Sequence, residues 1–209
     1  SYEALARARD FSREALVRAV EASGLRGRGG AGYPAGKKWA AVLHQPGPVK
    51  FVVANADEGD PGAYIDRLIL EEDPHALIEG LAIAAHAVGA EKGYLYLRKE
   101  YPQAERAGRT GLPIELVIGQ GSYVCGEETA LLNSIEGKRP EVRVRPPYPT
   151  ERGLFGKPTL VQNVETLVNI PWIVKNGAES YRAMGFSKPL RTWRASWPWK
   201  RLTLARIVS

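Results

Sequence analysis

The stretch GLRGRGGAGYPAGKKW, residues 24–39, constrains this chain more than any other. It holds six glycines and four cations, Arg26, Arg28, Lys37 and Lys38. Each glycine costs conformational entropy on folding that alanine would not. Consecutive glycines also let successive backbone N–H groups converge on one anion, and Lys37 or Lys38 adds a full charge. The stretch therefore reads as an anion-binding nest rather than a flexible surface loop. Gly27, Gly29 and Gly32 satisfy the GxGxxG spacing, but the dinucleotide fingerprint needs a strand directly before it and a helix directly after. Here a helical pattern precedes and Tyr33-Pro34 follows, so that motif is rejected. A P-loop would require glycine at 31 and a hydroxyl at 38, where the chain has Ala31 and Lys38.

Hydrophobic periodicity places the elements around this loop. Residues 13–22 read as a helix with Leu16, Val17 and Val20 on one face, ended by Ser23-Gly24. Residues 37–44 read as a short helical turn, and FVVANA (51–56) as a buried strand. DEGDPG (57–62) is turn chemistry. A helix is expected from about Pro74 to Val88, strands at 93–98 and 113–119, and a loose start becoming a helix over 119–137, with Glu127 and Glu128 in its first turn. Residues 138–158 read as a proline- and arginine-rich loop, and 161–177 as a last helix bent at Pro171. Strands alternating with helices predict an α/β fold, a mainly parallel sheet with flanking helices.

Composition excludes several functions. One cysteine, Cys125, leaves no intrachain disulfide, CxxC redox pair or cysteine-ligated iron–sulfur cluster, and Cys125 reads as a small buried hydrophobe. His44, His75 and His86 are scattered, without metal-ligand spacing. The longest apolar run, ALIEGLAIAAHAVGA, is too short and interrupted to span a bilayer, and the N-terminal residues show no apolar signal core. The expectation is a cytoplasmic protein. Of 29 Lys and Arg, six fall after residue 185, where no Asp or Glu occurs; residues 1–185 carry 23 of each sign. Trp193, Trp197 and Trp199 share that basic tail. It reads foremost as the end of a truncated or frame-shifted chain, and otherwise as a binder of anionic surfaces. The expected organisation is a helical lead-in (1–22), a binding domain (23–185) and a tail outside the fold (186–209).

Three further segments carry polar groups at element ends. ANADEGDP follows a buried strand, at the end where open α/β sheets bind ligands, and offers Asn55, Asp57 and Glu58; a solvated acidic turn accounts for it equally well. GSYVCGEETA puts Tyr123, Gly126 and two glutamates at a helix start, where acids also complement the helix dipole. GKPTLVQNVET puts Thr159, Gln162 and Asn163 at another helix start, a good second contact for a phosphate or a ring, with ordinary capping as the alternative.

As an ordered set, LRGRGGAGYPAGKKW, NADEGDPGAYIDRLILEEDPHALIEG, YVCGEETALLNSIEGKRP and PPYPTERGLFGKPTLVQNVETL closely resemble the flavin-binding, NADH-oxidising subunit of respiratory complex I and the diaphorase subunits of NAD-linked hydrogenases and formate dehydrogenases. The resemblance runs from about Ser23 to Gly185. It implies a Rossmann-like α/β fold that binds FMN through the glycine-rich loop, takes a hydride from NADH and passes electrons to iron–sulfur centres of partner subunits in a multi-subunit complex. Such a chain meets the membrane only through that complex and has no nucleic-acid partner. Carried over by position, Gly27, Gly29, Gly30, Lys38, Asn55, Asp57, Glu58, Tyr123, Gly126, Glu127, Thr159 and Asn163 would hold FMN. Tyr33, Asp60, Glu128, Arg145 and Tyr148 would meet the NADH substrate. No catalytic residue and no metal ligand is implied, because hydride passes from cofactor to cofactor and needs alignment rather than a protein acid or base. Four departures stand out. The family's iron–sulfur cysteines are absent, only YPQAERAGRTG joins two strands that the family separates by a helical segment, Gln162 and Ala41 replace usual residues, and nothing after Gly185 matches. The alternative reading is a truncated FMN-binding or assembly module without turnover.

Overall fold

The computed structural model describes residues 2–59, 62–98, 113–119 and 121–185. Helices α1 (Glu3–Ala8) and α2 (Arg13–Ala22) open the chain. The Ser12 hydroxyl accepts from the Ala15 N–H and caps α2, which buries Leu16, Val17 and Val20, the face marked by periodicity. The glycine loop leads into α3 (Ala35–Leu43) and strand β1 (Phe51–Ala56), followed by α4 (Ile65–Glu72) and α5 (Pro74–Val88). Asp73 caps α5 by accepting from the Ala76 N–H, Pro74 occupies its first position, and Gly89, at φ 71°, ends it in the left-handed region. Then come β2 (Lys92–Arg98), β3 (Ile114–Gly119), α6 (Glu128–Ile135), α7 (Pro149–Arg152), β4 (Thr159–Asn163), α8 (Val164–Leu167), α9 (Asn169–Asn176) and α10 (Ala178–Ala183).

The four strands form one parallel sheet in the order β3-β2-β1-β4. Strand side chains alternate between faces, and the core divides accordingly. Val52, Ala54, Ala56, Leu95, Leu97 and Leu160 face a large cluster built with α1, α2, α3, α5, α8 and α9. Phe51, Val53, Tyr94, Tyr96 and Val161 face a smaller one that includes Cys125, Leu131, Leu132 and Leu154. Ala4, Leu5 and Ala8 of α1 belong to the larger cluster.

The C-terminal reading needs correction. Residues 161–163 are not the start of a helix; they finish β4, which lies parallel to β1 with Phe51 opposite Thr159 and Asn55 opposite Asn163. A strand covered on both faces is apolar at consecutive positions, so Leu160-Val161 carries no alternation to separate it from helix. The helical stretch itself is split at Val168 between α8 and α9. Pro171 lacks the N–H that would bond the Leu167 carbonyl, and sits in the first turn of α9, where proline is tolerated. Loop 138–158 contains α7 and a 3-10 turn at Leu154–Gly156. The YPQAERAGRTG connection and the tail after residue 185 lie outside the described residues.

Candidate functional site

The strand order creates one special place. From β1 the chain moves outward to β2 and β3, and then returns to the other side of β1 as β4. In open α/β sheets ligands bind at the carboxyl ends of the strands flanking such a reversal. Two carboxamides stand there as register partners, Asn55 ending β1 and Asn163 ending β4. They line a cavity of about 750 Å³, with Gln162 beside them.

Both amides are oriented by fixed partners. Asn55 Nδ2 donates to the Gly126 carbonyl at 3.0 Å, while its Oδ1 accepts from the Asp57 N–H at 3.1 Å. Asn163 Nδ2 donates to Asp66 Oδ2 at 2.6 Å, while its Oδ1 accepts from the Thr166 N–H at 3.3 Å and so caps α8. The glycine loop closes over this end of the sheet. Its neck is pinned by Gly27 N–H to the Tyr33 carbonyl (2.8 Å), Ala35 N–H to the Leu25 carbonyl (2.9 Å) and Arg26 Nε to the Gly32 carbonyl (2.7 Å). Gly30 and Gly32 turn the loop at φ 102° and 61°, a region that favours glycine. The Arg28 N–H donates to Thr166 Oγ1 at 2.9 Å, tying the loop to α8. A Cβ on Gly29 would stand 3.3 Å from the Asn163 Cβ, a tight contact that Asn163 would have to yield to.

The opposite wall is charged but balanced. Glu127 caps α6: its Oε2 accepts from the Thr129 and Ala130 N–H groups at 2.8 and 2.9 Å, and its Oε1 meets Arg145 at 2.9 Å. Glu128 bridges Lys38 at 2.7 Å and Arg145 at 3.2 Å. Lys38 therefore does not face the cavity as an uncompensated charge; two cations and two carboxylates form one network. At the rim, Tyr33 and Tyr148 expose just over half of their surface.

The positions carried over from the resemblance fall into three groups. Gly27, Gly29, Lys38, Asn55, Gly126, Glu127 and Asn163 line the cavity together with Tyr33, Glu128, Arg145 and Tyr148. Gly30, Asp57, Glu58, Tyr123 and Thr159 lie outside that lining. Glu58 accepts from the Ile65 and Arg67 N–H groups and caps α4. Thr159 begins β4, about 13 Å of strand from Asn163, and its buried hydroxyl serves the neighbouring Lys157 carbonyl and Leu154 N–H. Asp60 lies outside the described residues. Two groups at the site escape a sequence reading as contacts: Thr166 and Asp66. Thr166 stands three residues after the capping Asn163, a spacing that could have marked it. Asp66 gives no signal of its own: Ile65, Leu68 and Ile69 carry helical spacing, but an acid in the first turn of such a helix reads as a complement to its dipole.

Asp66 is strongly altered by the fold. Burial, and then the nearby Glu58 carboxylate, push its carboxyl up to about 7, against the opposing pull of the Asn163 hydrogen bond. Among the described residues, no group of three or more His, Cys, Asp or Glu is placed to hold a metal. No described helix is long and apolar enough to cross a membrane.

A parallel α/β sheet with a glycine loop and an amide pair at its reversal belongs to the class of open sheets that bind ligands at their strand ends. Residues 20–172 match the family model described as the Nuo51 FMN-binding domain, and the chain belongs to that family. It is 47% identical to an NADH-quinone oxidoreductase subunit of Aquifex aeolicus, over 88% of this chain and 48% of that protein. It is 45% identical to the HndC subunit of the NADP-reducing hydrogenase of Solidesulfovibrio fructosivorans, over 88% of this chain and 41% of that protein. Among solved structures, the NAD+-reducing [NiFe]-hydrogenase in its air-oxidised state superposes with a TM-score of 0.81 at 47% identity, covering 84% of this chain and 32% of that one. The chain thus spans about half or less of the length of the relatives it matches.

Proposed function

We propose that the cavity at the β1/β4 reversal holds FMN and that the chain forms the hydride-accepting part of an NADH-oxidising subunit, delivering electrons to iron–sulfur centres on partner subunits. The observation that carries this reading is the register pairing of Asn55 and Asn163 beneath a glycine loop that packs closely on Asn163 at Gly29. The residues fit the group. The cavity volume lies within the ~300–1,000 Å³ common for small-molecule sites. Amides and loop N–H groups suit a ribityl chain and a phosphate, and Lys38 supplies positive charge once it is shared away from Glu128.

Bound FMN supplies the hydride acceptor. What remains for the protein is placement. Gly27 and Gly29 let the ligand lie against backbone, Asn55 and Asn163 fix its depth over the sheet, and Glu127 and Gly126 close the far wall. Tyr33 and Tyr148, with Glu128 and Arg145, are set at the rim to receive the nicotinamide nucleotide and hold it against the cofactor. Hydride transfer between the two cofactors asks these groups for alignment rather than for proton transfer. Titration of the full chain with FMN, followed by flavin fluorescence, tests the reading. Saturable 1:1 binding is expected, weakened in Gly29→Val, whose branched side chain would press on Asn163 and fill part of the cavity. Equal binding by both proteins would place the flavin elsewhere.

A further inference from the structure

We propose that Asp66 is a proton-dependent positioning residue of this site: its buried carboxyl, 2.6 Å from Asn163 Nδ2, sets the charge and orientation of the wall on which the glycine loop rests. The inference takes its ligand from the FMN reading above; its geometry stands independently.

Asp66 lies in the first turn of α4 and is 4% exposed. Because the Thr166 N–H can only donate, it claims the Asn163 oxygen and leaves the amide NH2 to Asp66. The backbone N–H of Glu165 also donates to Asp66, so one carboxyl ties α4 to the junction of β4 and α8. The charged groups around it do not neutralise it. Glu58 faces it from the loop after β1, and Glu165 from α8. The neighbouring cations serve other acids: Arg67, on α4 itself, meets Glu71 at 2.8 Å, and Arg28, from the glycine loop, stands 3.9 Å from Glu165. A buried acid facing two further acids gives up its charge readily, consistent with a carboxyl pushed up to about 7. Its bond to Asn163 is charge-assisted only while it is ionised. An anion entering the cavity adds another negative charge to this wall and favours the protonated form. Ligand binding and proton uptake at Asp66 are thereby linked.

The test uses the full chain and Asp66→Asn. In the absence of FMN, the Asn163 side-chain amide cross-peak in the NMR spectrum should move with a midpoint near pH 7 in the wild type, and should not titrate in the variant. FMN affinity, from fluorescence quenching, is then compared at pH 7 and 9, where a phosphate monoester, with its second pKa near ~6, stays dianionic. A one-unit rise of the Asp66 pKa on binding makes the wild type about fivefold tighter at pH 7 than at pH 9; the variant should change less than about twofold. A wild-type cross-peak that does not move, or an affinity equally pH-dependent in both proteins, overturns the proposal. A titrating cross-peak in a chain that binds no FMN upholds the role of Asp66 and refutes the cofactor reading instead.

Discussion

Lys38 shows how a charge read from sequence changes meaning in the fold. Sequence makes it an anion ligand; the structure gives it Glu128 at 2.7 Å, in a network with Arg145 and Glu127. A phosphate entering the site must share Lys38 with that carboxylate. Lys38→Ala leaves two acids against Arg145 alone, and a lost charged hydrogen bond of roughly 1.5–3 kcal/mol weakens FMN binding about tenfold or more. Glu128→Gln shifts the balance the other way and should tighten it. Flavin titration at low salt checks both, and unchanged affinity in the pair would place the phosphate away from this wall. Asp66 carries the residue-scale prediction for stability. Its carboxyl is raised from 3.8 to about 7 by folding, so the native state binds the proton more tightly than the unfolded chain. Its contribution is fully present below about pH 4 and is lost as pH rises through about 7. The melting temperature of Asp66→Asn relative to the wild type should therefore climb between pH 4 and 8. A difference that stays flat across that range would show that Asp66 is not raised.

At the scale of elements, two glycines decide how closely the layers pack. Gly80 of α5 lies against the Leu167 carbonyl so tightly that a Cβ would collide with it, and Gly36 of α3 would place a Cβ 2.5 Å from the Glu21 backbone of α2. Gly80→Ala should cost roughly 1–3 kcal/mol in urea unfolding, since backbone on backbone has no side chain to yield. Much of this architecture is legible in the sequence. The α2 face, β1 and the long α5 with its proline start and glycine stop announce themselves through periodicity and caps. β4 does not, because a doubly covered strand of five residues has no period to display, and its neighbours invite a helix. α4 does carry helical spacing, at Ile65, Leu68 and Ile69, but it stands directly after turn chemistry and is not among the expected helices. Most of the positions that line the cavity are marked by the family resemblance, with several of them amides, acids and glycines at element ends. What could not be named is how they pair. Lys38 and Glu128 are 90 residues apart, and Asn163 meets Asp66 across 97; neither contact has a local signature.

For the whole molecule, the site is assembled from separated segments: the glycine loop, the end of β1, the start of α6, the Arg145–Tyr148 stretch and the end of β4. A ligand that touches all of them binds only the folded chain, so saturating FMN should raise the thermal midpoint. At about a hundredfold excess over Kd the gain is about 2.7 kcal/mol. The parallel sheet order, the amide pair at its reversal and the match over residues 20–172 place the chain in one family. The hydride-accepting role is the claim built on that membership. It is tested most directly by the visible spectrum of the FMN-loaded chain on anaerobic addition of NADH. The account expects the flavin absorbance to bleach, in proportion to NADH added and up to one equivalent. Bound FMN that keeps its oxidised spectrum through an excess of NADH would contradict it, leaving a chain that holds the cofactor without presenting it to the nucleotide.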